Sequence, residues 1–129
     1  MLAVDTNVIV RLVTKDEPNQ VKRAVALFER EQIFIVKTVL LEVEWVLRYC
    51  YEIPADGIAS ALRKVVGLGN VTVEDPDDVA IALDWFEQGM DFADALHLAS
   101  SGRAGRFATF DRKMAKLAAE LRTVQVLAV

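Results

Sequence analysis

Short apolar runs of strand type alternate with longer stretches of helical periodicity along the 129 residues, and several of the runs end on an acid. Alternation of this kind predicts an α/β fold, and the length suits one compact domain. The expected architecture is a single-domain α/β/α sandwich, residues 1–129, with a mainly parallel central sheet.

Leu2 to Val4 read as a buried strand and Asn7 to Val13 as an apolar helix, so Asp5 stands where strand gives way to helix. In open α/β sheets that carboxyl end is where ligands bind. Asp16-Glu17-Pro18 starts a second helix, with Asp16 as N-cap and Pro18 in the first turn, ending near Gln32. Ile33 to Val36 is four apolar residues, three of them β-branched, and reads as a second buried strand.

Thr38 is placed to cap the next helix, with Glu42 within its first turn or so. Glu44, two residues further on, points to roughly the opposite side, so the two acids cannot face one site; Glu44 is expected on the surface or in an ion pair. Pro54 opens a fourth helix, Val71 to Val73 is a short strand, and Asp75-Pro-Asp-Asp supplies an N-cap, a Pro at N1 and two acids for the helix that closes at Gly89. Asp91 caps the following helix, and Asp94 falls at its third residue, where a carboxylate also closes a variant capping box. Phe107 to Phe110 is a strand ending in Asp111, followed by a helix from Arg112 to about Leu121 and a last strand from Val124 to Leu127.

Hydrophobic residues at 53% and charged residues at 26% exclude intrinsic disorder. No apolar run is long enough to span a bilayer, and Met1 leads straight into a core strand rather than a signal peptide, so a cytoplasmic protein with no membrane partner is expected. The single cysteine, Cys50, excludes an intrachain disulfide and a cysteine-based metal site.

The net charge of −4 argues at first against a nucleic-acid partner, yet its distribution is uneven. Residues 74–94 hold eight acids and no Lys or Arg, and residues 95–129 hold six bases against two acids. A cation offsetting the acids would leave the bases for phosphates, while a solvated acidic helix accounts for the same pattern.

Asp5, Glu42 and Asp111 each follow a strand, and Asp94 adds a helix N-terminus. In a parallel sheet such ends face one rim, where like charges repel unless one takes a proton or a cation joins them. Mg²⁺ and Mn²⁺ prefer such oxygen ligands, and one or two of these ions would suit hydrolysis of a phosphodiester. A glycine-rich phosphate loop, a nucleophile elbow and a credible triad around the one histidine are all missing from the sequence.

Leu-Ala-Val-Asp-Thr-Asn-Val-Ile-Val-Arg, Val-Leu-Leu-Glu-Val-Glu-Trp-Val-Leu, Asp-Phe-Ala-Asp-Ala-Leu-His-Leu-Ala and Ala-Thr-Phe-Asp-Arg, in that order, resemble the four acidic motifs of PIN-domain ribonucleases. The short layout is similar to VapC-like toxins of prokaryotic toxin–antitoxin pairs. The resemblance spans almost the whole chain and implies a PIN-like fold and a Mg²⁺- or Mn²⁺-dependent endoribonuclease. It makes Asp5, Glu42 and Asp94 metal ligands, with Asp111 a fourth acid acting through water or completing a second site. Thr6, Asn7 and Thr109 match the small polar positions that hold water or a phosphate oxygen. A homodimer, a cognate antitoxin whose segment occupies the groove, RNA as substrate, and 3′-hydroxyl and 5′-phosphate products are implied as well.

Other readings stand beside these. Asp5 and Asp111 are each placed to cap the helix that follows, and Asp91 reads as a cap rather than a ligand. His97 reads as a buried or half-buried packing residue, and Cys50 as a small core residue. Trp45 and Trp85 read as core or interface anchors. Arg103, Arg106, Arg112, Lys113 and Lys116 form either a solvated basic face or an RNA-backbone surface. The alternative function is a non-catalytic metal- or phosphate-binding module, either receiver-like or an inactive PIN scaffold. A receiver needs a second acid beside Asp5 and a later strand-end Lys, and neither is present.

Overall fold

Parallel pairing, expected from the alternation, holds for every strand pair in the computed structural model, which describes residues 1–121 and 123–129. The chain divides into two units, residues 1–76 and 77–129.

The first unit runs β1 (Leu2–Ala3), α1 (Thr6–Thr14), α2 (Pro18–Arg30), β2 (Ile33–Ile35), α3 (Lys37–Tyr49), α4 (Ala55–Val66) and β3 (Val71–Val73). Its sheet has the order β1-β2-β3, with Leu2 opposite Ile33 and Ile33 opposite Val71. The middle strand is apolar throughout, and Ile33 and Ile35 are fully buried. A strand flanked on both edges needs side chains that tolerate burial, which the β-branched run supplies. Helix α1 packs on α2 and α3, and α3 on α4.

The second unit runs α5 (Pro76–Glu87), α6 (Phe92–Ala99), a 3₁₀ turn (Gly102–Ala104), β4 (Arg106–Thr109), α7 (Arg112–Glu120) and β5 (Gln125–Ala128). Strands β4 and β5 pair in parallel from Arg106 opposite Gln125 to Thr109 opposite Ala128, and α7 packs on both. Phe86 of α5 and Phe92 of α6 meet with ring centroids 5.3 Å apart. Gly89, at φ 108°, turns the chain between these helices, a conformation open to glycine because it has no Cβ.

Several local expectations give way to tertiary contacts. Helix α2 has Glu17 rather than Asp16 at its N-cap. The Asp16 carboxylate instead accepts from the Tyr51 hydroxyl at 2.7 Å and from Thr14 Oγ1 at 3.0 Å, and these contacts hold its pKa below the ordinary value, with Tyr51 the largest cause. Thr38 does not cap α3, which begins a residue earlier, after Val36. Glu42 is therefore the sixth residue of α3, two residues deeper than a Thr38 cap implies. Strand β4 ends at Thr109, so Phe110 lies outside it. Cys50 is exposed because it follows the last residue of α3 rather than facing a neighbour. His97 is exposed as well, on the outer side of a short helix whose inner side carries Ala95, Leu96, Leu98 and Ala99. No helix among the described residues is long and apolar enough to cross a membrane.

Candidate functional site

Strand β1 ends abruptly, and Asp5 follows in extended conformation as the N-cap of α1. Its Oδ1 accepts from Thr6 N at 2.7 Å. The cap reading of Asp5 is thus part of the structure, and it uses one carboxylate oxygen. Thr6 is almost fully buried, and its hydroxyl donates to Glu42 Oε1. One residue accordingly ties the acid after β1 to the acid of α3: its amide holds Asp5 and its side chain holds Glu42. The Thr6 proton therefore goes to a carboxylate rather than to water or a phosphate oxygen.

Asp5 and Glu42 themselves are exposed, and among the described residues neither is in an ion pair with Lys or Arg. Asn7 is exposed and lines a groove of about 610 Å³ between α1 and α2, together with Val8, Arg11, Gln20, Arg23 and Leu27. None of the candidate acids lines that groove.

Glu44 separates cleanly from Glu42. It is buried, with 1% of its surface exposed, and the guanidinium of Arg48 reaches both of its oxygens, Nε to Oε2 at 2.9 Å and Nη2 to Oε1 at 3.0 Å. Of the two expected places, surface or ion pair, the structure has the ion pair. The two forks are spaced i, i+4 on one face of α3, the geometry that favours bidentate contact. Arg48 also lies over the Tyr49 ring, 4.8 Å from its centroid.

Glu74 is a functional neighbour that the motif reading passed over. It follows β3 as Asp5 follows β1, and its Oε1 accepts from Lys37 N, the first amide of α3, at 2.8 Å. A carboxylate at that end satisfies a free helix donor and suits the positive helix terminus. The next residue, Asp75, has a positive φ of 45° and pairs with Lys37 Nζ at 2.9 Å. The helix that carries Glu42 is therefore pinned at its start by side chains from the end of β3. The available signal was the repeated pattern of an acid directly after a strand.

In the second unit Asp91 caps α6, its Oδ2 accepting from Asp94 N at 3.2 Å, as its spacing from Asp94 implied. Asp111 caps α7 through Oδ1 to Met114 N at 3.0 Å, and its own amide donates to Thr109 Oγ1 at 3.0 Å. Thr109 thus shapes the turn that presents Asp111. Asp94 is half-buried, and its pKa is raised, first by loss of water and then by the negative charges of Asp91 and Asp111, against a smaller opposing pull from His97. The fold of this unit thereby brings Asp94 within electrostatic reach of Asp111 although they are far apart in sequence.

Among the described residues no three His, Cys, Asp or Glu side chains are grouped as a metal cage. The chemistry of the donors nevertheless fits a hard cation: they are carboxylates, Asp5 and Glu42 are in no ion pair with Lys or Arg among the described residues, and Asp94 has its pKa raised first by loss of water and then by like charges, which a cation would offset. The absence of a cysteine or histidine set argues against zinc.

A family model described as PIN domain matches residues 2–120. No curated protein matches the chain.

Proposed function

The chain belongs to the PIN-domain family, generally a family of metal-dependent nucleases, and on that premise we propose that it is a Mg²⁺- or Mn²⁺-dependent endoribonuclease of a single domain, the toxin of a type II toxin–antitoxin pair. The observation that carries the reading is the Asp5, Thr6, Glu42 arrangement, in which two exposed, unneutralised carboxylates are joined through one buried residue. Carboxylate oxygens of this kind are what a hard divalent cation takes as ligands.

In this reading Asp5, Glu42 and Asp94 hold the metal, and Asp111 contributes through water or a second ion. Such a cation, when bound, supplies the positive charge that polarises a phosphate and acidifies a water. The protein's own residues set the stage for it. Thr6 fixes the Glu42 carboxylate, Glu74 and Lys37 anchor the start of α3, and the Thr109 turn with the Met114 amide fixes Asp111. Each acid that uses one oxygen in a backbone contact keeps the other for a ligand, so capping and metal binding are compatible. RNA, a homodimer, a cognate antitoxin and a cytoplasmic site of action belong to the same proposal.

Asp5→Asn is the decisive variant, because an Asn oxygen preserves the bond from Thr6 N while the charge is lost. The fold is expected to survive, and Mn²⁺ binding and RNA cleavage to be lost. Undiminished cleavage by this variant would sink the assignment. Growth arrest on expression of the parent chain in a bacterial host, absent with Asp5→Asn, tests the toxin role.

A further inference from the structure

Phe110 is 83% exposed, in the turn between β4 and α7 and next to Asp111. Its ring adds nothing to the core; one exposed apolar side chain is ordinary at a protein surface, and what marks this one is where it is held. The backbone that carries it is firmly tied: Asp111 N donates to Thr109 Oγ1, Met114 N to Asp111 Oδ1, and Val129 N to Thr109 O at 2.8 Å. The ring is thus presented by a hydrogen-bonded turn rather than by a slack loop.

Its surroundings mix apolar and cationic groups: Leu127 of β5 and Val129 just after it are 38% and 69% exposed, and Val129 N bonds to the carbonyl of Thr109 beside the ring. Residues 103–117 contain five bases, Arg103, Arg106, Arg112, Lys113 and Lys116, and one acid, Asp111. All five bases are exposed, and among the described residues none is in an ion pair. Along β4 the exposed positions alternate, Arg106 and Ala108, and Phe110 continues the same alternation. Five exposed bases against one acid do not suit the core of a protein interface, which is depleted of charge. An exposed aromatic ring among exposed bases is instead the pattern that binds single-stranded nucleic acid, where nucleobases stack on the ring and phosphates meet the cations.

We propose that Phe110 is a nucleobase-stacking residue for single-stranded RNA, with Arg112 and Lys113 meeting the adjoining phosphates. The inference rests on the nuclease reading and deepens it, since a base stacked here lies beside Asp111, one of the acids of that reading. Duplex RNA, whose bases are already stacked on one another, gains nothing from the ring.

The test is binding of a labelled single-stranded oligoribonucleotide to the full chain in EDTA, by fluorescence anisotropy, beside cleavage kinetics with Mn²⁺. Phe110→Ala and Phe110→Leu are expected to weaken binding by roughly tenfold and to raise KM with little change in kcat. Phe110→Trp is expected to bind as the parent does, with its fluorescence quenched by the RNA. Parent-like binding by Phe110→Leu overturns stacking in favour of plain apolar contact. Parent-like binding and cleavage by Phe110→Ala overturns the site and leaves the nuclease reading intact. A parent chain that neither binds nor cleaves single-stranded RNA overturns both.

Discussion

Replacing Thr6 by Val removes one hydroxyl and keeps the branched shape, so Thr6→Val isolates the bond to Glu42. Thr6 is 4% exposed, so no water reaches its side of the lost bond, whereas the exposed Glu42 regains solvent. A hydrogen bond to a charged group contributes roughly 1.5–3 kcal/mol. Rehydration of Glu42 and burial of a methyl in place of the hydroxyl bring the expected cost to about 1 kcal/mol. In a chain of this length that lowers Tm by roughly 3–5 °C, which thermal unfolding followed by circular dichroism resolves. The same bond orients a proposed metal ligand, and loss of such an outer contact typically weakens metal affinity by about 10- to 100-fold. Titration with Mn²⁺ by calorimetry measures that. A double-mutant cycle with Glu42→Ala should show strong non-additivity, since either change removes the same contact. Unchanged Tm and Mn²⁺ affinity in Thr6→Val, or strict additivity in the cycle, would refute the link drawn between the first strand and α3.

Further expectations follow from the other charges. Asp94 has its pKa raised above the ordinary value of 3.8, so the native state holds its proton more firmly than the unfolded chain; the group is neutral to stability below that pH and costs stability as pH rises through its folded value. Asp94→Asn should therefore raise Tm at neutral pH without metal, with the difference vanishing in acid, and Mg²⁺ should raise the Tm of the parent but not of the variant. A lower Tm for Asp94→Asn at neutral pH would contradict the repulsion. Arg48→Met takes the guanidinium away from the buried Glu44 carboxylate and should cost about 3 kcal/mol by urea unfolding, the usual loss when a buried ion pair is broken from one side. A variant as stable as the parent would mean that the pair is neutral.

Much of the candidate site was legible because the signal is local. An acid that directly follows a short strand-like run is unusual enough to be noticed, which is how Asp5 and Asp111 stood out, and the same reasoning applied to Val71-Thr-Val-Glu would have found Glu74. The capping roles of Asp91 and Asp111 were also readable, because a cap and its amide lie within a few residues of each other. The choice between Glu42 and Glu44 was half legible: helix periodicity sends them to opposite sides, and the Arg at i+4 from Glu44 marks the partner that neutralises it.

The sequence by itself determined the α/β class, the parallel pairing, the order of the elements and which acids border them, since each depends on spacing along the chain. Tertiary structure alone decided that Asp16 leaves its helix cap for Tyr51, that the start of α3 is held by Glu74 rather than by Thr38, and that Thr6 gives its proton to Glu42. These partners are separated by 35, 37 and 36 residues, and no local propensity encodes a contact at that range. Asp5 was conspicuous from its neighbours along the chain, whereas its tie to Glu42 exists because α1 and α3 pack together and leave the Thr6 hydroxyl no water to bond.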